Sequence, residues 1–387
     1  MSVETISLGC RLNFAESDTI ARSAPADGDW IVVNSCAVTN EAVRQTRQAI
    51  RQAHGRRPEA KILVTGCAAE LEAETFAAMP EVARVVGNER KLNALAPDVT
   101  TPVPAGLMHK VKSFVAIQTG CDHRCTFCSI WQARGPSVSL PFEAIRDAVT
   151  REIDRGAKEI VLTGVDITDY AGGLGGVCQR LLAAEPRLKR LRLSSLDSIE
   201  IDDTLFELIA GEPRLMPHFH LSLQAGDDMV LKRMKRRHSR ADAVRTVERI
   251  KTARPDATIG ADLIAGFPTE TEDMAIKTLN LLDDCDIVSA HIFPFSPRPN
   301  TPAARMPQVE RELVKTRAAR LRAAAAERRS RWLDTLVGST QPVLIEGDGT
   351  GHTGNFAPVA LPGAKRGETG RIRITDCDSN RLTATWA

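Results

Sequence analysis

Three cysteines stand close together in Gln118-Thr119-Gly120-Cys121-Asp122-His123-Arg124-Cys125-Thr126-Phe127-Cys128, a Cys-x3-Cys-x2-Cys spacing. A loop of that spacing can wrap three thiolates around one inorganic cluster. A zinc site wants a fourth ligand at a second paired spacing, whereas three thiolates on an iron cubane leave one iron open to a substrate or cofactor. His123, inside the loop, is the alternative fourth zinc ligand, but it would have to strain inward. Cys10, Cys36 and Cys67 form a second group, each placed after an expected strand and before an expected helix: Leu8-Gly9-Cys10-Arg11, Asn34-Ser35-Cys36-Ala37 and Thr65-Gly66-Cys67-Ala68. In a parallel sheet such junctions share one edge, so these thiols can converge at helix N-termini, whose dipoles favour thiolate. Any one of them alone would read as a small buried hydrophobe. Their repeated position argues for a second cluster. Cys178, Cys285 and Cys377 lack partners and read as packing residues.

The elements that must position these groups follow from periodicity. Short β-branched runs at 5–8, 30–33, 61–65 and 83–86 alternate with amphipathic stretches at 13–23, 40–53 and 68–79, which predicts an α/β unit with a parallel sheet. A stretch rich in Pro and Thr at 96–105 reads as a linker. Six further strand candidates, at 113–118, 159–163, 191–194, 218–221, 258–263 and 287–292, alternate with helices. They predict a curved, barrel-like parallel sheet with its chemistry at the C-terminal strand ends. Prolines at 294, 297, 299, 302 and 307 then interrupt the pattern before a long Ala/Arg/Glu helix at 308–336. Short segments at 341–345, 357–360, 371–374 and 381–383 predict a small antiparallel barrel. The expected division is therefore 1–100, 107–307, a connecting helix 308–336, and 337–387.

Composition excludes several classes. The 387 residues are 43% hydrophobic and 26% charged, with 51 basic against 49 acidic side chains, so neither a disordered acidic chain nor a polycation fits. Nucleic-acid contact must then be local. No apolar run is long enough to span a bilayer, and Glu4, Arg11, Glu16 and Asp18 interrupt the first twenty residues, which read as neither a membrane span nor a signal peptide. Nine cysteines with no export signal point to reduced thiols in a cytoplasmic setting.

The Cys-x3-Cys-x2-Cys loop, with Phe127 before its third cysteine, resembles the signature of radical S-adenosylmethionine (SAM) enzymes. In nearly its full length, with the upstream cysteine trio and terminal barrel, the chain is similar to the methylthiotransferase family. Segments resembling the subgroup that modifies threonylcarbamoyladenosine in tRNA include Val38-Thr39-Asn40-Glu41-Ala42, Leu162-Thr163-Gly164-Val165-Asp166, Leu193-Ser194-Ser195-Leu196-Asp197-Ser198, His220-Leu221-Ser222-Leu223-Gln224-Ala225-Gly226 and Gly260-Ala261-Asp262-Leu263-Ile264-Ala265-Gly266-Phe267-Pro268. The resemblance implies two four-iron four-sulfur (4Fe-4S) clusters. The one on Cys121, Cys125 and Cys128 would cleave SAM to a 5′-deoxyadenosyl radical. The other, on Cys10, Cys36 and Cys67, would carry the sulfur. It implies a methylthio transfer to C2 of the modified adenosine beside the anticodon, consuming two SAM, with a sulfur donor and an electron donor as further partners. Alternatives are the relatives that modify an aspartate of a ribosomal protein, and a non-catalytic iron–sulfur sensor of RNA. The terminal barrel resembles a TRAM domain, the RNA-binding module of this family. Ser129-Ile130-Trp131 after the third cysteine and Ala225 in place of a usual Ser depart from the family pattern.

Further candidates are positional, and no residue is assigned as catalytic. Gly164, Asp166, Ser195, Gln224 and Asp262 lie at or beyond expected strand ends, where they could meet the SAM ammonium, ribose, adenine or methionine groups. Each has an ordinary turn or capping alternative. Phe127 could lie near the SAM adenine or simply in the core. Lys232, Arg233, Lys235, Arg236 and Arg237 form a basic run that could bind tRNA phosphates or be a solvated helix face. Phe356, Lys365 and Arg366 are the RNA-contact candidates of the terminal barrel. His54, His109, His291 and His352 are isolated in sequence and receive no role.

Overall fold

The computed structural model describes residues 3–23, 29–95, 106–109 and 111–387; the expected linker at 96–105 falls outside them. The first unit is a four-stranded parallel sheet in the order β1 (Glu4–Ser7), β2 (Trp30–Ser35), β3 (Lys61–Gly66), β4 (Val82–Val85). The two central strands are buried on both faces apart from their first residues, which is why they read as continuous apolar runs. Helices α1 (Arg11–Ser23) and α2 (Asn40–Arg56) make the crossovers. Val43, Thr46, Ile50 and Ala53 bury one stripe of α2, and the Thr39 hydroxyl caps it by accepting the Ala42 N–H at 3.1 Å. One helix was expected at 68–79, but two short ones form, α3 (Cys67–Leu71) and α4 (Ala73–Ala77). The break falls at Glu72, whose carboxylate is engaged by Arg47 at 2.7 Å and Arg298 at 3.3 Å.

The second unit begins with β5 (Gly106–His109), antiparallel to β6 (Lys112–Ala116). The expected strand at 113–118 divides at Ile117, and β7 (Gln118–Thr119) leaves the sheet to pair with β8 (Val138–Ser139), with α5 (Ile130–Arg134) between them. This small clasp carries the cysteine loop. Helix α6 (Phe142–Asp154) leads to β9 (Glu159–Thr163), α7 (Leu174–Ala184) to β10 (Leu191–Leu193), and α8 (Asp203–Gly211) to β11 (His218–Gln224). Helices α9 (Asp228–Met234) and α10 (Arg240–Ala253) precede β12 (Thr258–Ala265), and α11 (Glu272–Asp284) precedes β13 (Ile287–Pro294). Strands β6, β9, β10, β11, β12 and β13 therefore follow one another in space as in sequence. Ladders join β6 to β10 and β11 to β13, while single bridges at Leu191–Leu215 and Leu196–Leu221 connect the two halves. Ile160, Leu162, Leu191, Phe219, Leu221, Ile259, Ala261 and Ile287 are buried in its core.

Helix α12 (Arg311–Leu336) does more than connect. Its Leu321 belongs to the barrel core, Arg317 pairs with buried Glu270 at 3.0 Å, and Leu333 enters the core of the terminal barrel. That barrel closes in the order β14 (Thr340–Gly347), β15 (Thr350–Thr353), β16 (Pro358–Ala360), β18 (Leu382–Trp386), β17 (Thr369–Cys377). Strand β15 escapes sequence reading because Thr-Gly-His-Thr has no apolar residue. The barrel is not wholly antiparallel, since β16 and β18 run parallel.

The terminal barrel docks against the N-terminal ends of the central strands. Phe356 lies between His218 and His352, with ring centroids at 4.9 and 4.6 Å, and Arg192 and Lys112 face its ring at 4.8 and 5.3 Å. Beneath it, Glu159 is fully buried among Arg192 at 2.9 Å, Arg190 at 3.0 Å and Lys112 at 3.5 Å. Lys112 also reaches Glu346 of β14 at 2.7 Å. The C-terminal strand ends remain for the cysteines.

Candidate functional site

The cysteine loop is fixed by backbone hydrogen bonds rather than by side-chain bulk. Thr126 donates its N–H to Met234 O at 3.0 Å and its hydroxyl to Arg233 O at 2.7 Å, and its own carbonyl accepts Ala303 N–H at 3.0 Å. Donors converge on the sulfurs: Ile130 N–H lies 3.3 Å from Cys128 Sγ, and Arg236 Nη1 lies 3.8 Å from Cys125 Sγ. In the bare protein, burial pushes the Cys121 thiol up to about 12 and the Cys128 thiol up to about 11, and the neighbouring sulfurs add to the rise. Three sulfurs on one short loop, two of them met by N–H donors, suit a cationic iron cluster that would take them as thiolates. This donor set fits a 4Fe-4S cluster.

The second trio is brought together by the sheet edge. Gly9 has φ +91°, and a Cβ there would lie 2.6 Å from Cys36 Sγ, so the first cysteine's loop packs directly on the second cysteine. Gly66 has φ +92°, and a Cβ would lie 2.4 Å from Ser35 O. Burial raises the Cys36 thiol to about 11, with Cys10 and Cys67 adding to it, and burial raises Cys10 with Cys67 adding. Cys36 and Cys67 are buried, whereas Cys10 reaches solvent although protein surrounds its thiol. Cys67 also raises the Cys128 thiol, so the two trios lie within electrostatic reach of each other.

Between them lies Arg134, at the end of α5 with its side chain 2% exposed. Its guanidinium donates to Glu16 Oε1 and Oε2, both at 2.9 Å, to Asn13 Oδ1 at 2.6 Å, to Thr119 Oγ1 at 3.2 Å and to Cys67 Sγ at 3.3 Å. Lys91 pairs with the same Glu16 and donates to Asn88 Oδ1 at 2.8 Å, while Asn88 donates to Ala133 O at 2.7 Å. Burial would raise the Glu16 carboxyl, but Arg134 and Lys91 hold it down at about 2. One arginine from α5 thus bonds Cys67 and two residues beside the other trio. Sequence reading missed it because its partners lie up to 121 residues away.

The other expected residues divide. Asp166 sits at the cluster loop, its Oδ2 4.0 Å from Cys121 Sγ and 2.9 Å from His123 Nε2, its Oδ1 accepting from Thr168 at 2.8 Å. Asp166 and then Glu200 raise His123 to about 10, and its Nε2 also lies 3.0 Å from Arg237 Nη2. Gly164 is small for a different reason than ligand approach: a Cβ there would lie 2.8 Å from Gln118 O and 2.9 Å from Gln118 Oε1, which accepts the N–H groups of Val165 and Asp166. Phe127 packs against a cluster with Ala225, Leu231, Met234 and Phe267. Ser195 is exposed, and buried Asp197, two residues on, is the group that takes Arg236 at 2.9 Å. Gln224 closes β11 with φ +67°. Asp262 accepts from His220 at 2.9 Å and from His291 at 3.1 Å, which gathers one of the unassigned histidines into the barrel.

The basic run is not one surface. Arg236 is buried on Asp197, Ser222 O and Cys125, so it serves the cluster loop and not a nucleic-acid backbone. Arg237 pairs with Glu200, and Arg233 turns toward Thr269 O at 3.4 Å. Lys232 and Lys235 are exposed. Phe356 is enclosed at the barrel junction and cannot stack on a base, whereas Lys365 and Arg366 stand exposed.

Three family models match: the radical SAM superfamily over residues 115–282, the uncharacterized protein family UPF0004 over 2–87, and the TRAM domain over 334–386. A threonylcarbamoyladenosine tRNA methylthiotransferase MtaB of Rickettsia prowazekii is 43% identical over 382 residues, covering 92% of this chain and 91% of its own. The protein of that name from Thermotoga maritima is 32% identical, covering 96% and 94%. A tRNA-2-methylthio-N(6)-dimethylallyladenosine synthase of Erythrobacter litoralis is 34% identical, covering 90% and 87%. Among solved structures, the radical SAM methyltransferase TsrM of Kitasatospora setae shares the fold, with TM-score 0.54 at 14% identity over 73% of this chain and 66% of its own. No helix among the described residues is long and apolar enough to cross a membrane.

Proposed function

From the premise that this chain belongs to the radical SAM methylthiotransferase family, we propose that it replaces the C2 hydrogen of threonylcarbamoyladenosine in tRNA with a methylthio group. Cys121, Cys125 and Cys128 would hold the SAM-binding 4Fe-4S cluster, and Cys10, Cys36 and Cys67 a second one. When bound, these groups and SAM supply a hydrogen-abstracting radical and a sulfur centre; the protein supplies position and exclusion of water.

The observation that carries the reading is the approach of the two trios. Cys67 raises the Cys128 thiol, and Arg134, on the helix that follows the loop, ties it to Cys67, Glu16 and Asn13. An adenine held between the trios can lose hydrogen on one side and gain sulfur on the other without leaving the chamber. Asp166 Oδ2 lies 2.9 Å from His123 Nε2 beside Cys121, and Arg236 and Ile130 aim N–H groups at the sulfurs of Cys125 and Cys128. Lys365 and Arg366 of the terminal barrel, with Lys232 and Lys235, are exposed cations that would take tRNA phosphates.

Mass analysis of nucleosides from tRNA, with and without this protein in the cell, tests the assignment. The 2-methylthio derivative of threonylcarbamoyladenosine should vanish on deletion and return with the intact gene. Persistence of that nucleoside, with loss of a methylthio group from a ribosomal protein instead, would transfer the activity to the protein substrate.

A further inference from the structure

We infer that Arg11 is the residue by which this enzyme selects an adenosine whose N6 substituent carries a carboxylate. The inference rests on the substrate reading above and names the group that recognises its acidic part.

Arg11 follows Cys10 directly and opens α1. Its guanidinium lies over the Phe114 ring of β6, 5.5 Å from the centroid. Its charge is felt by Arg192 of β10, Glu159 of β9, Glu346 of β14 and Asp262 of β12. Phe114, Glu159, Arg192 and Asp262 lie on β6, β9, β10 and β12, so the side chain extends from α1 toward the strands of the partial barrel. Arg11 nevertheless remains solvent-accessible, as does Cys10 beside it.

The neighbouring charges are paired: Arg192 and Arg190 with Glu159, Lys112 with Glu346 and Glu159, and Asp262 with His220 and His291, while Arg190 Nη2 and Arg192 Nη1 remain buried without a hydrogen-bond partner. Arg11 makes no ion pair or hydrogen bond to a described residue; its one recorded partner is the face of Phe114. A cation–π contact of this kind leaves the guanidinium N–H groups available to an anion. A solvent-accessible guanidinium with no carboxylate in hydrogen-bond contact is open to a ligand that supplies one. An exposed aromatic, Phe14, stands three residues along the same helix face and offers an apolar surface beside the charge.

The chemistry of the substrate matches this vacancy in pairing. C2 and C6 of adenine flank N1 and the N6 substituent is carried on C6, so a base whose C2 is presented to the trio of Cys10, Cys36 and Cys67 extends that substituent past the residue next to Cys10. A threonylcarbamoyl group ends in a carboxylate, which a guanidinium edge accepts with two parallel hydrogen bonds. A hydrocarbon substituent at N6 would leave Arg11 unpaired and desolvated, and would be rejected for that reason.

The test compares anticodon stem-loop RNAs that carry either N6-threonylcarbamoyladenosine or its threoninamide analogue, in which the carboxylate is a carboxamide. Binding to the full-length, iron-loaded protein is measured at one fixed salt concentration. Wild type should bind the acid about 10- to 100-fold more tightly than the amide. In Arg11→Gln that ratio should fall to about one, and Arg11→Lys should retain part of it. Iron content of each variant serves as the folding control. An acid-to-amide ratio that survives in Arg11→Gln overturns the inference, as does a wild type that methylthiolates tRNA yet shows no preference for the acid. A wild type that methylthiolates neither RNA overturns the substrate reading itself.

Discussion

Arg134 shows how much of the site rests on one side chain that no motif marks. Five hydrogen bonds leave it for two different units of the fold, and its charge is balanced by Glu16 in a place from which water is excluded. Arg134→Leu would strand Glu16 beside Lys91 alone and release Cys67. The expected cost is about 3–5 kcal/mol. A lower thermal midpoint and loss of about half the bound iron should accompany it. Arg134→Lys restores a charge but not a planar fork, and should recover little of either. A wild-type midpoint and full iron in Arg134→Leu would show that the network is ornamental. At this scale the cysteines were legible, because their spacing and their place after strands are sequence properties. Arg134, Glu16 and the His220–Asp262–His291 group were not, since each is assembled from segments far apart in the chain. Arg236 was misread because a charge run in sequence does not reveal which member turns inward.

The strand-to-helix junctions are the elements that make a trio out of separated thiols. Each requires the chain to leave the sheet sharply, and Gly66 does so at φ +92° with Ser35 backbone filling the space where a side chain would stand. Gly66→Ala should therefore cost about 1–3 kcal/mol and displace Cys67. Anaerobic reconstitution of that variant should return about four irons where wild type returns about eight, with the loop at 121–128 still loaded. Retention of all the iron would mean that the junction tolerates movement and that the close approach is incidental. The parallel strands of both larger units were readable from β-branched runs separated by amphipathic helices. The departures have local causes: Glu72 is captured by two arginines and breaks a helix, Ile117 separates β6 from the clasp, and β15 carries no apolar signal.

Across the whole molecule, the terminal barrel is joined to the catalytic unit through charges as well as through α12. Glu346 is the clearest hinge of that junction. Burial would raise its carboxyl, but His352 and Lys112 hold it at about 2. A carboxyl held below its unfolded value of 4.5 contributes stability that is complete above about pH 4.5 and disappears as the pH falls through about 2. The contribution is on the order of 3 kcal/mol. Glu346→Gln should thus weaken barrel docking at pH 6, read as faster amide exchange in β14 and β15, while wild type and variant converge near pH 2. Equal exchange rates at pH 6 would remove Glu346 from the junction. That docking keeps the exposed Lys365 and Arg366 at a fixed distance from the chamber, which is how an RNA held at the barrel could be read at one base.

The account stands on two sulfur trios that each hold a four-iron cluster beside one chamber. The most direct measurement is the iron and acid-labile sulfide content of anaerobically reconstituted protein in which Cys10, Cys36 and Cys67, or Cys121, Cys125 and Cys128, are replaced by alanine. Each triple variant should retain about four irons of the roughly eight in wild type, and replacing all six cysteines should leave none. Full iron loading after removal of either trio, or complete loss after removal of only one, would contradict it.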